Sequence, residues 1–228
     1  RQQRLQKEWG CKFQVAAEPL LEEMGHKIIK AYHRPFTSLG KRRRGWKWHV
    51  EKLGDYLWNY ADYVAMKDGL LYVVEVKSQG YVPLLNGEDG YPITPSTISF
   101  SEMERREYSA SKVPVLVLLL LYNSGGKVKK LPLTRMGVKE IVKYSEEPDA
   151  RRLGPLFYKL VPFPEFEFRE NVSGGILANK FQECKELSSR DVYALMRKTG
   201  ALEVVRIEPG CLWREKKGRI VPEGLSPS

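Results

Sequence analysis

Cysteine and histidine are scarce: 228 residues include three of each. Cys11, Cys184 and Cys211 lie far apart, with no CxxC pair and no Cys/His cluster, so neither a zinc site nor a disulfide framework is expected. His33 and His49 stand alone and support no metal or general-base role. The chain also lacks an apolar run long enough to cross a membrane. Its longest, residues 113–122 (VPVLVLLLLY), is about half of the roughly 20 residues a spanning helix needs and reads as a buried strand. No secretory leader pattern is visible. The expectation is a cytoplasmic, intracellular protein with no membrane partner.

Acidic side chains are outnumbered, 28 against 38 Lys and Arg, giving a net charge of +10. Residues 1–126 carry 18 basic and 14 acidic groups and residues 127–228 carry 20 and 14, so the charge is not a detachable tail. A basic balance of this kind suits a polyanion such as nucleic acid. Abundant Lys, Arg and Glu is also the pattern of hyperthermophile surfaces, so charge by itself leaves both readings open.

Taken in order, residues 1–30 read as helix, with a break expected near Pro19, where a ring and a missing N–H disturb the helical ladder. Gly25 ends that helix and hands over to a strand at 26–32. Residues 41–49 (KRRRGWKWH) interleave Lys41, Arg42, Arg43, Arg44 and Lys47 with Trp46 and Trp48. Cations that neutralise phosphates beside indoles that stack on bases make this a candidate nucleic-acid surface. A loop anchored by its tryptophans is the competing reading.

Two strand-like runs then flank Asp68-Gly69, the strongest short-range signal for a two-residue hairpin. The turn fixes the register: Lys67 pairs with Leu70, Val64 with Val73, and Asp62 falls opposite Glu75. Lys77 follows on the same face, because strand side chains alternate with period two. Apolar residues are expected on both faces, Val64, Met66, Leu71 and Val73 on one, Ala61, Ala65, Leu70, Val74 and Val76 on the other. Such a pair is central and covered. Two carboxylates side by side in a covered sheet are costly without a cation. Hard oxygen donors suit Mg²⁺ or Mn²⁺. Asp62, Glu75 and the Val76 carbonyl are the candidate ligands, Glu18 of the first helix a further one, and Lys77 the group that would assist an attacking water. Gln79, on the same strand face, could hold the water or a phosphate.

A loop at 80–95, a helix opened by the capping box Ser101 to Glu104 and the apolar strand at 113–122 complete this unit. Arg105 and Arg106 are candidate nucleic-acid contacts on that helix. The sequence is less legible beyond. Residues 134–145 look helical, residues 127–170 read as a linker or an ordered wrap, and 171–228 as a smaller α+β region. In that region two short helices at 176–186 and 189–199 precede a hairpin tipped by Lys216 to Arg219. This is loosely similar to a winged helix, with Arg190, Arg197 and Lys198 as DNA contacts or, equally, to a small helical cap.

Asp62, followed thirteen positions later by Glu75-Val76-Lys77 at the end of an apolar strand, resembles the PD-(D/E)xK nuclease superfamily. Ala61 stands where the motif's name has proline, and Glu18 matches the first-helix acid only loosely. The resemblance covers about residues 10–125. It implies an α/β, restriction-endonuclease-like core, a mixed sheet flanked by helices, in which Asp62 and Glu75 bind the metal and Lys77 is catalytic. The expected activity is metal-dependent hydrolysis of phosphodiester bonds, in DNA associated with the nucleoid, with RNA left open. A homodimer is expected if both strands are cut. The rival is a DNA-binding or assembly factor that keeps the fold without turnover.

Overall fold

Asp68 and Gly69 both adopt positive φ, 50° and 77°, the backbone a type I′ turn requires. The hairpin they close has the expected register, with Lys67 opposite Leu70, Val64 opposite Val73 and Tyr63 opposite Val74. The computed structural model describes residues 2–31, 61–83, 92, 94–124, 127–129, 140–143, 153–207, 210–216 and 219–222.

Helix α1 (Gln2–Glu23) leads to β1 (Lys27–Ala31), and the hairpin is β2 (Tyr63–Lys67) and β3 (Leu70–Tyr81). After the short β4 (Thr97–Ile98), helix α2 (Glu102–Ala110) crosses to β5 (Val115–Asn123). Next come β6 (Lys127–Lys129), β7 (Glu140–Lys143), β8 (Leu156–Pro162), β9 (Gly175–Ile176), β10 (Lys185–Leu187) and helix α3 (Ser189–Lys198). The described chain ends in β11 (Val204–Ile207), β12 (Gly210–Lys216) and β13 (Arg219–Pro222), an antiparallel sheet of three.

The main sheet has six strands in the order β1-β2-β3-β5-β8-β10. It is mixed: β3 and β5 run parallel, connected through α2, and the other pairs are antiparallel. The protein is therefore α/β, a sheet with helices on both faces. Val74, Val76, Leu118 and Leu120 pack with Phe13, Ala16, Ala17 and Leu20 of α1 and with Val192 and Met196 of α3. Val73, Val117, Leu119 and Leu121 face the other way, onto Tyr108 of α2 and Phe100, Phe163 and Phe166. Burial on both faces explains why β5 is almost purely apolar. Each fully buried leucine there contributes about 1.5–3 kcal/mol of transfer free energy.

Several sequence expectations are corrected. Helix α1 continues through Pro19 without a break, and burial of the adjacent Leu20 and Leu21 holds its last turn on the sheet. Residues 140–143 form strand β7, paired with β6, in place of a helix; Ile141 and Val142 are β-branched and favour the extended chain. No helix spans 176–186, because Asn179 and Glu183 take left-handed φ of 54° and 57°, which a helix cannot accommodate. A winged helix is thereby excluded, since α3 has no preceding helix to pair with. The segment 127–170 supplies β8 to the main sheet and 171–228 supplies β10, so the sheet is completed from beyond residue 126. Cys11 is disulfide-bonded and Cys184 is a free thiol.

Candidate active site

Glu75, Lys77 and Gln79 occupy alternate positions of β3 on the face covered by α2. Glu75 is 5% exposed. Its Oε1 lies 2.8 Å from Lys77 Nζ, and its Oε2 accepts a hydrogen bond of 2.8 Å from Tyr108 Oη. Lys77 Nζ also donates to Glu104 Oε1 at 2.8 Å and sits 4.9 Å from the centre of the Phe100 ring. The ammonium thus bridges a β3 carboxylate and an α2 carboxylate above an aromatic floor.

The capping box explains how Glu104 reaches this position. Ser101 Oγ accepts from the Glu104 N–H at 3.1 Å, and Glu104 Oε2 accepts from the Ser101 N–H at 2.5 Å. One oxygen is tied to the helix start and the other is turned onto Lys77. Tyr108, one helical turn later, points the same way.

Asp62 departs from simple alternation. Ala61 packs with Val64 and Val73, whereas strict alternation would put it on the opposite face. The ladder stops at Tyr63 and Val74, and Asp62 Oδ2 accepts at 2.8 Å from the Val76 N–H, which a longer strand would have paired with residue 61. Its Oδ1 accepts from Gln14 Nε2 of α1 at 2.7 Å. Asp62 therefore stands at the strand end, reached by α1 from one side and by β3 from the other.

Electrostatics follow from burial. Loss of solvent, then the negative charge of Glu75, raise the Asp62 carboxyl well above the usual range, against the opposing pull of the Val76 N–H and Lys77. Burial likewise raises Glu75, opposed by Lys77. Burial would lower Lys77, but Glu75 and Glu104 more than offset it and hold the ammonium charged. Burial would also raise Glu104, yet Lys77 and Ser101 keep it below its ordinary value. Three carboxylates thus face one ammonium.

No protein-family model matches the chain. Comparison with curated proteins and with solved structures likewise gives no significant match.

Of the residues singled out in the sequence, Asp62, Glu75 and Lys77 are brought together. Glu18 lies one turn beyond Gln14 on α1. Among the described residues no group of three His, Cys, Asp or Glu side chains is placed to hold a metal ion, so Glu18 does not join Asp62 and Glu75 as a third acid. Gln79 Nε2 donates to the Thr97 carbonyl at 2.7 Å, tying β3 to β4. Arg106 is exposed and paired with Glu107. Lys41, Arg42, Arg43, Arg44, Trp46, Lys47 and Trp48 lie outside the described residues, as do His33 and His49.

Gln14, Glu104, Tyr108 and Phe100 escaped the sequence reading. Glu104 and Tyr108 carried a signal: an acid and a tyrosine four residues apart in a helix with a capping box. As a donor set, Asp62 and Glu75 are hard oxygen ligands that share one ammonium, and each of their oxygens has one protein partner and a further lone pair. That fits Mg²⁺ or Mn²⁺ keeping several waters, because Mg²⁺ is commonly held by one or two carboxylates.

Proposed function

We propose that the protein is a metal-dependent nuclease that hydrolyses phosphodiester bonds, in DNA, on a restriction-endonuclease-like core. The observation that carries this reading is the half-buried Lys77 ammonium, 2.8 Å from Glu75, in one cluster with Asp62 at the end of the neighbouring strand. Asp62 and Glu75, with the Val76 carbonyl, would hold a divalent cation, which when bound supplies Lewis acidity and lowers the pKa of water. Lys77 provides a fixed positive charge for the negative charge that develops on the phosphate as the bond is cut. Tyr108 and Glu104 fix the positions of Glu75 and Lys77, and Gln14 fixes Asp62. Phe100 and its aromatic neighbours exclude water from beneath the ammonium, which strengthens its field.

A second reading has its own observation. Every carboxylate oxygen of Asp62 and Glu75 already has a protein partner, as a DNA-binding or assembly factor without turnover would allow. Incubation with plasmid, single-stranded, branched and RNA substrates in Mg²⁺, Mn²⁺ or EDTA separates the two. Cleavage that needs the metal and is lost in Asp62→Ala and Lys77→Ala supports the nuclease. Binding without cleavage under all conditions supports the second reading.

Partners and place follow from this proposal. DNA is the expected partner, and cutting both strands would call for a homodimer. Among the described residues no helix is long and apolar enough to cross a membrane. A nucleoid-associated, intracellular location is proposed.

A further inference from the structure

Helix α2 has two working faces. Its inner face delivers Glu104 and Tyr108 to the site. Its outer face lines an open groove of about 560 Å³ with Glu102, Met103, Arg105, Arg106 and Ser109, closed on one side by Phe168. We infer that this groove holds a nucleic-acid strand beside the site, with Arg105 as its phosphate contact. The inference rests on the nucleic-acid part of the proposed function.

Arg105 is the deciding residue. Its guanidinium lies 5.6 Å from the centre of the Phe168 ring, and its Nε is buried with no hydrogen-bond partner. Among the described residues it forms no ion pair, although Glu102 and Glu107 share its helix. Arg105 is only half-buried and lines the groove, so the outer part of its fork, and not the covered Nε, is what an anion in the groove can reach. Phosphate oxygens match the fork of N–H donors, and the ring beneath holds that fork in one plane.

The groove and the site share an aromatic contact. Phe168 packs against Phe100 at 5.6 Å between ring centres, and Lys77 lies over Phe100. The two cations therefore stand on one pair of aromatic rings, Arg105 at the groove and Lys77 at the acids. Arg106 adds a second positive charge, and Met103, 45% exposed, offers an apolar surface for a base.

The test measures binding without cleavage. Fluorescence anisotropy in EDTA, with a labelled single-stranded oligonucleotide and its duplex, compares the wild-type chain with Arg105→Ala, Arg105→Lys and Ser109→Glu. Arg105→Ala is expected to weaken binding about tenfold, the loss of one charge-assisted contact, and to reduce the salt slope by about one. Arg105→Lys should recover the slope but not the full affinity. Ser109→Glu changes an exposed helix position without disturbing the core, so it decides the matter if Arg105→Ala fails to fold; it too should weaken binding. Wild-type binding with Arg105→Ala and Ser109→Glu unchanged would overturn the groove while leaving the nuclease reading standing. No wild-type binding to either oligonucleotide would overturn the groove, and cleavage in Mg²⁺ then decides the nuclease reading separately.

Discussion

Asp62 and Glu75 hold their protons more tightly in the folded chain than in the unfolded one, because burial, together with the negative charge of Glu75 on Asp62 and of Glu104 on Glu75, disfavours their charged forms. The folded state then binds more protons between the unfolded carboxylate value near 4 and the raised folded value, and stability falls as pH rises through that window. Asp62→Asn removes part of this penalty and can keep the Val76 N–H satisfied. Its melting temperature is expected to exceed that of the wild type at pH 8 in EDTA, and the gap should close as the pH falls below about 4, where both states of the wild type become protonated. Adding Mg²⁺ should raise the wild-type melting temperature more at pH 8 than at pH 5, and should not do so for Asp62→Asn. Tyr108→Phe deletes the hydroxyl that bonds Glu75 and leaves a buried acceptor unpaired. A loss of about 1–3 kcal/mol in urea unfolding is expected.

At the level of elements, the hairpin tests how far a local turn dictates structure. Gly69 has φ of 77° but open space where a Cβ would be, so Gly69→Ala should cost only the left-handed conformation, about 1 kcal/mol. Gly174 combines φ of 99° with a Cβ position 2.3 Å from the Ile98 carbonyl oxygen. Gly174→Ala must move backbone, and denaturant titration should show about 2–4 kcal/mol. The contrast mirrors what was legible in the sequence. Asp68-Gly69 dictated the β2–β3 register because turn and strands are contiguous, and the capping box marked the start of α2. The bonds from Glu104 and Tyr108 to Lys77 and Glu75 were not legible, because they depend on how α2 docks. The face of Ala61 was misplaced for a related reason: the strand ends where Asp62 takes over the Val76 N–H. Residues 176–186 were apolar enough to resemble a helix, and only the backbone at Asn179 and Glu183 reveals the turn.

Across the whole molecule, the resemblance to a nuclease motif stopped near residue 125, but the sheet does not. β8 covers the far edge of β5, from Leu116 opposite Pro162 to Leu121 opposite Phe157, and α3 closes the α1 side with Val192 and Met196. Proline at 155, 162 and 164 concealed β8, although Leu156, Tyr158 and Val161 are buried in it. A fragment ending at residue 126 would expose the β5 edge and part of both cores. It is expected to show no cooperative thermal transition, whereas the full chain melts cooperatively.

The central claim is that Asp62, Glu75 and Lys77 form a working hydrolytic site, and the most direct measurement is cleavage of labelled DNA by purified protein with and without Mg²⁺. The account predicts cleavage in Mg²⁺, none in EDTA, and a loss of at least about 100-fold in Lys77→Ala with the fold intact by circular dichroism. Cleavage by Lys77→Ala at the wild-type rate, or no cleavage of any nucleic acid by a folded wild-type chain in Mg²⁺ or Mn²⁺, would contradict it.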